Sequence, residues 1–198
     1  PELDWDSIEI KPGQATRTAS AAVLGYLAEK VGNMLVSSAD LAHSDTTEGF
    51  LKKTHALLKG DFSGAFLHAG VAELTMACIC NGIVLHGGMY AACGTFFVFS
   101  DYMKPAIRMA ALMQLPVKFI YSHDSFRVGE DGPTHKPIET TLGLRLIPNV
   151  SAIRPADALE TAVAWQQACP NKTKPPCLLL SRQNMPVMHE HAAVIHEK

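Results

Sequence analysis

The sequence predicts an α/β domain in three layers, a mostly parallel sheet with helices on both faces. Three observations carry this. Short runs rich in apolar and β-branched residues alternate with longer segments whose apolar positions recur every three or four residues. The short runs are continuously apolar rather than alternating, as expected of strands buried on both faces. The chemically interesting side chains follow strands or open helices, and open α/β sheets hold ligands beyond the carboxyl ends of their strands.

Residues 1–13 place Pro1, Pro12 and Gly13 around acidic positions and read as a lead-in linker. From Gln14 to Val31, Ala15, Ala19, Ala22, Val23, Tyr26 and Leu27 recur at helical spacing, and Gly32 with Asn33 supplies the stop. Arg17 lies in the first turn of that helix, where a cation opposes the helix dipole. It is either an ordinary exposed arginine or one placed to meet an anion. Residues 34–38 form the first strand, ending near Asp40 and Ser44. The polar, unpatterned stretch 45–60 reads as an irregular surface segment with room for one helical turn.

Residues 65–68 form a second, short strand, and a helix runs from Val71 to about His86, where Gly87 and Gly88 end it. Its Leu74, Cys78, Ile79, Ile83 and Leu85 are apolar. Glu73 is the exception, and reads either as a cap favoured by the dipole or as a buried carboxylate. Residues 91–95 form a strand that runs into Phe96, Phe99 and Tyr102, an aromatic stripe at three-residue spacing that by itself fits a core. Helical spacing continues to Leu115, with Pro105 near the helix start or at a kink.

Residues 116–121 then read as a buried strand, followed by a loop from Tyr121 to Pro137. That loop gathers His123, Asp124, Glu130, Asp131 and His135 between Gly129, Gly132 and Pro133, dense polar chemistry for a loop leaving a buried strand. A short helix over 138–146, a strand over 150–154, a helix over 155–169 and a last strand over 177–182 complete the pattern. Arg182 stands at the carboxyl end of that last strand. The domain is thus expected over 14–186, with 187–198, including His189, His191 and His196, as a linker or tail.

A net charge of −2 with scattered Lys and Arg gives no basic groove for nucleic acid and no patch for an anionic membrane. No uninterrupted apolar stretch is long enough to span a bilayer. Five cysteines, Cys78, Cys80, Cys93, Cys169 and Cys177, are an odd number among apolar neighbours, which favours reduced thiols and a cytoplasmic home. Cys78 and Cys80 read as small core residues. The chain begins at Pro1 rather than Met, which points to a piece of a longer protein.

The order of residues in the loop, His123-Asp124-Ser125, then Gly129 through His135, then Pro137-Ile138-Glu139, closely resembles the signature loop of the transketolases. The resemblance extends in family order through Ala15 to Arg17, Ser38 to Leu41 with Ser44, Gly70 to Glu73, Asn81 to Ile83, Thr95-Phe96 with Phe99 and Tyr102, Arg154 to Asp157, and Ser181 to Asn184. It implies the middle, pyrimidine-binding domain of a thiamine diphosphate enzyme. In such a domain Glu73 would hydrogen-bond a ring nitrogen of the cofactor's aminopyrimidine, and Phe96, Phe99 and Tyr102 would surround that ring. Asp40 would lie near the cofactor and the subunit interface. Arg17, Ser44, His123 and Arg182 would receive the phosphate of a sugar phosphate, Asp131 a substrate hydroxyl, and His135 would act near the reacting carbon.

The reaction implied is reversible transfer of a two-carbon ketol unit from a ketose phosphate to an aldose phosphate. Two departures bear on this. Ala72 stands where the family often has arginine, and Phe126-Arg127 replaces a common Ile-Gly, which leaves acceptor preference open. No Gly-Asp-Gly metal motif is present, so the Mg or Ca ion that holds the cofactor's diphosphate is expected on a separate domain. The expected partners are that domain, a second copy in a homodimer, or both, and the chain alone is expected to be inactive. Two alternatives remain: a non-catalytic dimerisation or assembly module of the same fold, and a related synthase that uses formaldehyde as acceptor.

Overall fold

Strand β4 (Lys118–Ser122) shows how the sheet is built: Phe119 and Tyr121 face one helical layer, Ile120 faces the other, and all three are fully buried. A strand sealed on both sides must be apolar at every position, which is why the sequence gives runs and not alternation. The computed structural model describes residues 2–188. The expectation for His189, His191 and His196 lies outside the described residues.

The other strands are β1 (Met34–Ser38), β2 (Phe66–His68), β3 (Tyr90–Phe96), β5 (Ser151–Ile153) and β6 (Pro176–Leu179). They pair in the order β2-β1-β3-β4-β6-β5, every pair parallel. Helices α1 (Thr16–Lys30), α2 (Glu48–Leu51) and α6 (Ala158–Ala168) cover one face, through Leu24, Leu27, Phe50 and Trp165. Helices α3 (Glu73–His86) and α4 (Ser100–Leu112) cover the other, through Met76, Cys80, Met103 and Ile107. Helix α5 (Thr140–Arg145) adds Leu144 to that second layer. Trp165 is wholly buried yet satisfied, its Nε1–H donating to Ser20 Oγ at 2.9 Å. The chain leaves β1 toward β2 on one side and β3 toward β4 on the other. The switch point of the sheet, where such folds place ligands, therefore lies between β1 and β3.

Packing corrects or refines several of the expectations. The stretch 45–60 has the single helical turn expected, α2, and exposed residues such as Lys52, His55 and Leu58, but Asp45, Thr47 and Phe50 are buried and α2 packs against α1. Their polarity misled because the buried polar groups are paired internally. On α3 the buried face is Glu73, Met76, Ala77 and Cys80, while Leu74, Ile79 and Leu85 are exposed. The helix is apolar on all sides, so spacing alone could not choose a face. Cys78 is exposed for the same reason, although Cys80 is core. Of the two alternatives for Pro105, its place inside α4 removes the helix start.

The close approach of α2 to α1 depends on Gly49, because a Cβ at that position would collide with the backbone of Ala21. Backbone cannot rotate out of the way as a side chain can. Gly49→Ala is expected to lower the unfolding free energy by about 2 kcal/mol, the cost typical of an overpacked core contact. Urea titration checks it, and an unchanged midpoint would show that the two helices separate freely.

Candidate active site

The start of α1 sets one wall of the site from a distance. Ala15 caps this helix without a side-chain hydrogen bond, so its first amides need other partners. Ser181, just beyond β6, supplies them: Thr16 N–H donates to Ser181 Oγ at 3.1 Å, and Ser181 N–H donates to Thr16 Oγ1 at 2.6 Å. This cap across the domain brings Arg17 beside Arg182. Burial and the nearby Arg182 both lower the pKa of Arg17, and Asp131 and Asp45 partly offset them. Arg17 Nη1 donates to the Ser44 carbonyl at 2.6 Å, while its Nε has no partner among the described residues. Arg182 Nη2 reaches Glu130 Oε1 at 3.3 Å, a weak exposed pair that leaves most of its donors open.

His123 follows β4 with φ +57, an uncommon conformation that turns its ring back over the sheet edge. The ring stacks on Phe96 at 3.6 Å and exchanges a 2.9 Å hydrogen bond with Ser122 Oγ. Desolvation, then the charges of Arg17 and Arg182, push its pKa down to about 3. His123 is therefore neutral at neutral pH. Asp131 Oδ2 lies 3.9 Å from His123 Nε2 and is buried without a closer partner among the described residues. Asp124 anchors the loop, taking a 2.6 Å ion pair from Arg154 Nε while itself buried.

Next to this cationic group lies a cleft of about 510 Å³, lined by Ala39, Asp40, Leu41, Val71, Glu73, Phe99, Tyr102 and His135. Glu73 is 9% exposed at the first turn of α3. Phe96 stacks on Phe99 at 6.0 Å and Phe99 on Tyr102 at 6.2 Å, so the stripe grades from buried Phe96 to exposed Tyr102. It is a core stripe at one end and a pocket wall at the other. His135 meets the edge of Phe99 at 5.3 Å and links the cleft to the His123 side. Asp40, with φ +63, turns the chain away from β1 at the switch point. At the opposite edge of the sheet, a second cavity of about 460 Å³ is lined by Trp5, Leu27, Met34 and Lys118. It lies at the amino ends of the strands, where β1, β3 and β4 begin with Met34, Tyr90 and Lys118, and collects none of the residues expected at the site.

The residues expected at a site thus gather at the carboxyl edge of the sheet: Asp40, Glu73, Phe99, Tyr102 and His135 line the cleft, Arg17, His123, Asp131 and Arg182 lie beside it, and Phe96 is buried between Phe99 and His123 without lining the cleft. Ser44 enters through its carbonyl, as the support of Arg17. Asp45 was missed; its signal was an acidic residue between Ser38 and Thr47, both able to donate to it.

A family profile described as "Transketolase, pyrimidine binding domain" matches residues 13–188. The chain belongs to the transketolase family. It is 46% identical over 188 residues to the transketolase of Halalkalibacterium halodurans and 47% identical over 191 residues to that of Bacillus subtilis. The alignments cover 93% and 94% of this chain but 28% of each relative, so it spans little more than a quarter of their length. A transketolase from Pichia stipitis in complex with sedoheptulose-7-phosphate superposes with a TM-score of 0.89 at 36% identity, over 96% of this chain and 30% of that one. A protein titled "Split gene transketolase, inactive beta4 tetramer" superposes with a TM-score of 0.72 at 28% identity, over 88% of this chain and 54% of that one. The similarity thus covers the pyrimidine-binding region of transketolases, in sequence and in fold.

Proposed function

We propose that the chain is the pyrimidine-binding part of a thiamine diphosphate-dependent transketolase that moves a two-carbon ketol unit from a ketose phosphate to an aldose phosphate. The observation that carries this is the pairing of the Glu73 cleft with the Arg17, His123 and Arg182 group along one sheet edge. The cleft fits an aminopyrimidine: flat aromatic walls at Phe99 and Tyr102, and a largely buried carboxylate at Glu73 able to hold a ring N–H. When bound, thiamine diphosphate supplies the electron sink that carbon–carbon cleavage needs. Glu73 holds the proton on the pyrimidine nitrogen, and the aromatics exclude water from the ring. The two guanidinium groups take the phosphate of the sugar, for which their planar forks are suited. Neutral His123 adds a hydrogen bond without charge. Asp131 receives a sugar hydroxyl, and His135 stands between cleft and phosphate group as donor or proton shuttle.

Asp40 completes the cofactor side, and Ser44 serves the phosphate side by fixing Arg17. The metal ion that goes with the diphosphate would be held by a separate domain. Exposed Leu74, Ile79, Leu85, Met109 and Leu112 on α3 and α4 support a partner surface there, for a second copy or that domain. The neighbour titled an inactive tetramer favours dependence on a partner. Ketol transfer from xylulose 5-phosphate to ribose 5-phosphate, assayed with and without the complementing domain, tests the reading. Turnover by the chain alone would remove the claim of dependence, and no turnover with the domain restored would favour an assembly module. An acceptor screen including formaldehyde separates the synthase alternative; Phe126, 61% exposed beneath the Arg127 guanidinium, is the loop feature to vary.

Arg17→Ala in the complemented enzyme is expected to raise KM for ribose 5-phosphate by roughly tenfold or more, the loss of one charge-assisted hydrogen bond. Steady-state kinetics with an unphosphorylated donor such as hydroxypyruvate check this, with KM for the unphosphorylated acceptor glycolaldehyde expected to change far less.

A further inference from the structure

The loop between β1 and α2 carries a fully buried acidic anchor, Asp45, beside a residue in a left-handed conformation, and neither has a part in the proposed function. Ser44 and Thr46, the two neighbours of Asp45, hold Arg17 from both ends: the Ser44 carbonyl accepts from Nη1 at 2.6 Å, and the Thr46 Oγ1–H is shared between the Arg17 carbonyl at 2.7 Å and the Asp45 carbonyl at 2.6 Å. Thr46 does this at φ +66, a left-handed conformation that a β-branched residue adopts only when its surroundings hold it there. Asp45 supplies the hold. Its side chain accepts from Ser38 Oγ at 2.7 Å, Thr47 N–H at 2.8 Å and Thr47 Oγ1 at 2.7 Å, and its own N–H donates to the Leu41 carbonyl at 2.7 Å. Gly94 of β3 makes the room, since a Cβ there would stand 3.0 Å from Asp45 Oδ2 and collide with Thr47.

We infer that Asp45 is a positioning residue for the phosphate subsite, holding the 44–46 segment so that Arg17 stays aimed at a sugar phosphate, and that protonating it loosens this grip. The inference rests on the proposed ketol-transfer reading. The ionised carboxylate accepts from three donors. Once Oδ2 carries a proton, its O–H competes with Ser38 Oγ–H, and Ser38 Oγ already accepts from Leu41 N–H at 3.2 Å. Burial pushes the Asp45 pKa up to about 6, opposed by those hydrogen bonds and by the charge of Arg17. The other groups facing this cluster are Cys93 of β3, whose thiol burial drives upward, and Asp131 and Arg182, which act on Arg17. The carboxylate is thus poised to titrate where phosphorylated sugars still carry charge.

The test uses the complemented enzyme with an unphosphorylated ketol donor such as hydroxypyruvate, and with ribose 5-phosphate or glycolaldehyde as acceptor, between pH 5 and 8. Asp45→Asn is expected to raise KM for ribose 5-phosphate several-fold at pH 7, by about the worth of one hydrogen bond. It is also expected to flatten the rise of KM below pH 6 and to change KM for glycolaldehyde far less than KM for ribose 5-phosphate. Thr47→Val keeps the carboxylate but removes one donor, so it is expected to move that rise to higher pH. A merely structural Asp45 would affect both acceptors alike and shift no profile. If Asp45→Asn keeps the wild-type KM and pH profile while Arg17→Ala raises KM, this inference is overturned and the subsite stands. If Arg17→Ala also leaves KM unchanged, the subsite reading itself fails. Should Asp45→Asn not fold, an unmoved profile in Thr47→Val is sufficient to overturn the inference.

Discussion

Glu73→Gln is expected to leave the fold intact and to lower kcat for ketol transfer by about 10³-fold in the complemented enzyme, the range for loss of a positioned acid or base. The substitution keeps shape and polarity. It removes the only property that a protonated ring nitrogen needs, a negative charge at hydrogen-bond distance. Glu73 sits at the open end of α3 with Met76, Ala77 and Cys80 buried behind it, so the side chain is directed to the cleft and not to the core. The amide contributes a hydrogen bond of ordinary strength and so should bind cofactor, only less well. Stopped-flow kinetics with xylulose 5-phosphate, alongside a binding titration of the cofactor, separate the two effects. Near-normal turnover with weakened binding would reassign Glu73 to cofactor binding alone.

The sheet was readable from the residues because buried parallel strands leave continuous apolar runs, and the runs at 34–38, 65–68 and 116–121 each fall on or within two residues of a strand. The positions of Arg17, His123 and Arg182 followed from the same pattern, since each adjoins a helix start or strand end. What could not be read was pairing over distance. Thr16 and Ser181 are 165 residues apart, and nothing local announces that one caps the other. Asp45 was hidden for a different reason. A polar segment looks solvated in sequence, and only packing reveals that its acceptors and donors face one another. The orientation of α3 was ambiguous because a helix apolar on every side specifies burial but not which face.

The pH dependence of stability is expected to look almost flat between pH 7 and 4.5 as far as His123 and Asp45 are concerned, because two linkages of opposite sign cancel. His123 has its pKa depressed from 6.5 to about 3, so the unfolded chain takes up a proton that the folded one refuses. Its neutral form contributes stability that is present above pH 6.5 and lost as pH falls toward 3. Asp45 has its pKa raised from 3.8 to about 6, so the folded chain takes up the proton first. Its contribution is full below pH 3.8 and lost as pH rises through 6. Over this interval each linkage amounts to roughly 2 kcal/mol, at about 1.4 kcal/mol per unit of pKa difference. Removing one partner unmasks the other. Relative to wild type, His123→Asn should gain about 2 kcal/mol on acidification from pH 7 to 4.5, and Asp45→Asn should lose about as much. Urea titrations at the two pH values measure both, and parallel shifts of the same sign in the two variants would mean that burial does not perturb these groups as the packing requires. The same opposition bears on function. Below pH 6 these two groups together leave stability nearly unchanged while Asp45 becomes neutral, so a loss of affinity for phosphorylated sugars, in a protein that the same urea titrations show to be folded, would reflect the positioning of Arg17 and not unfolding.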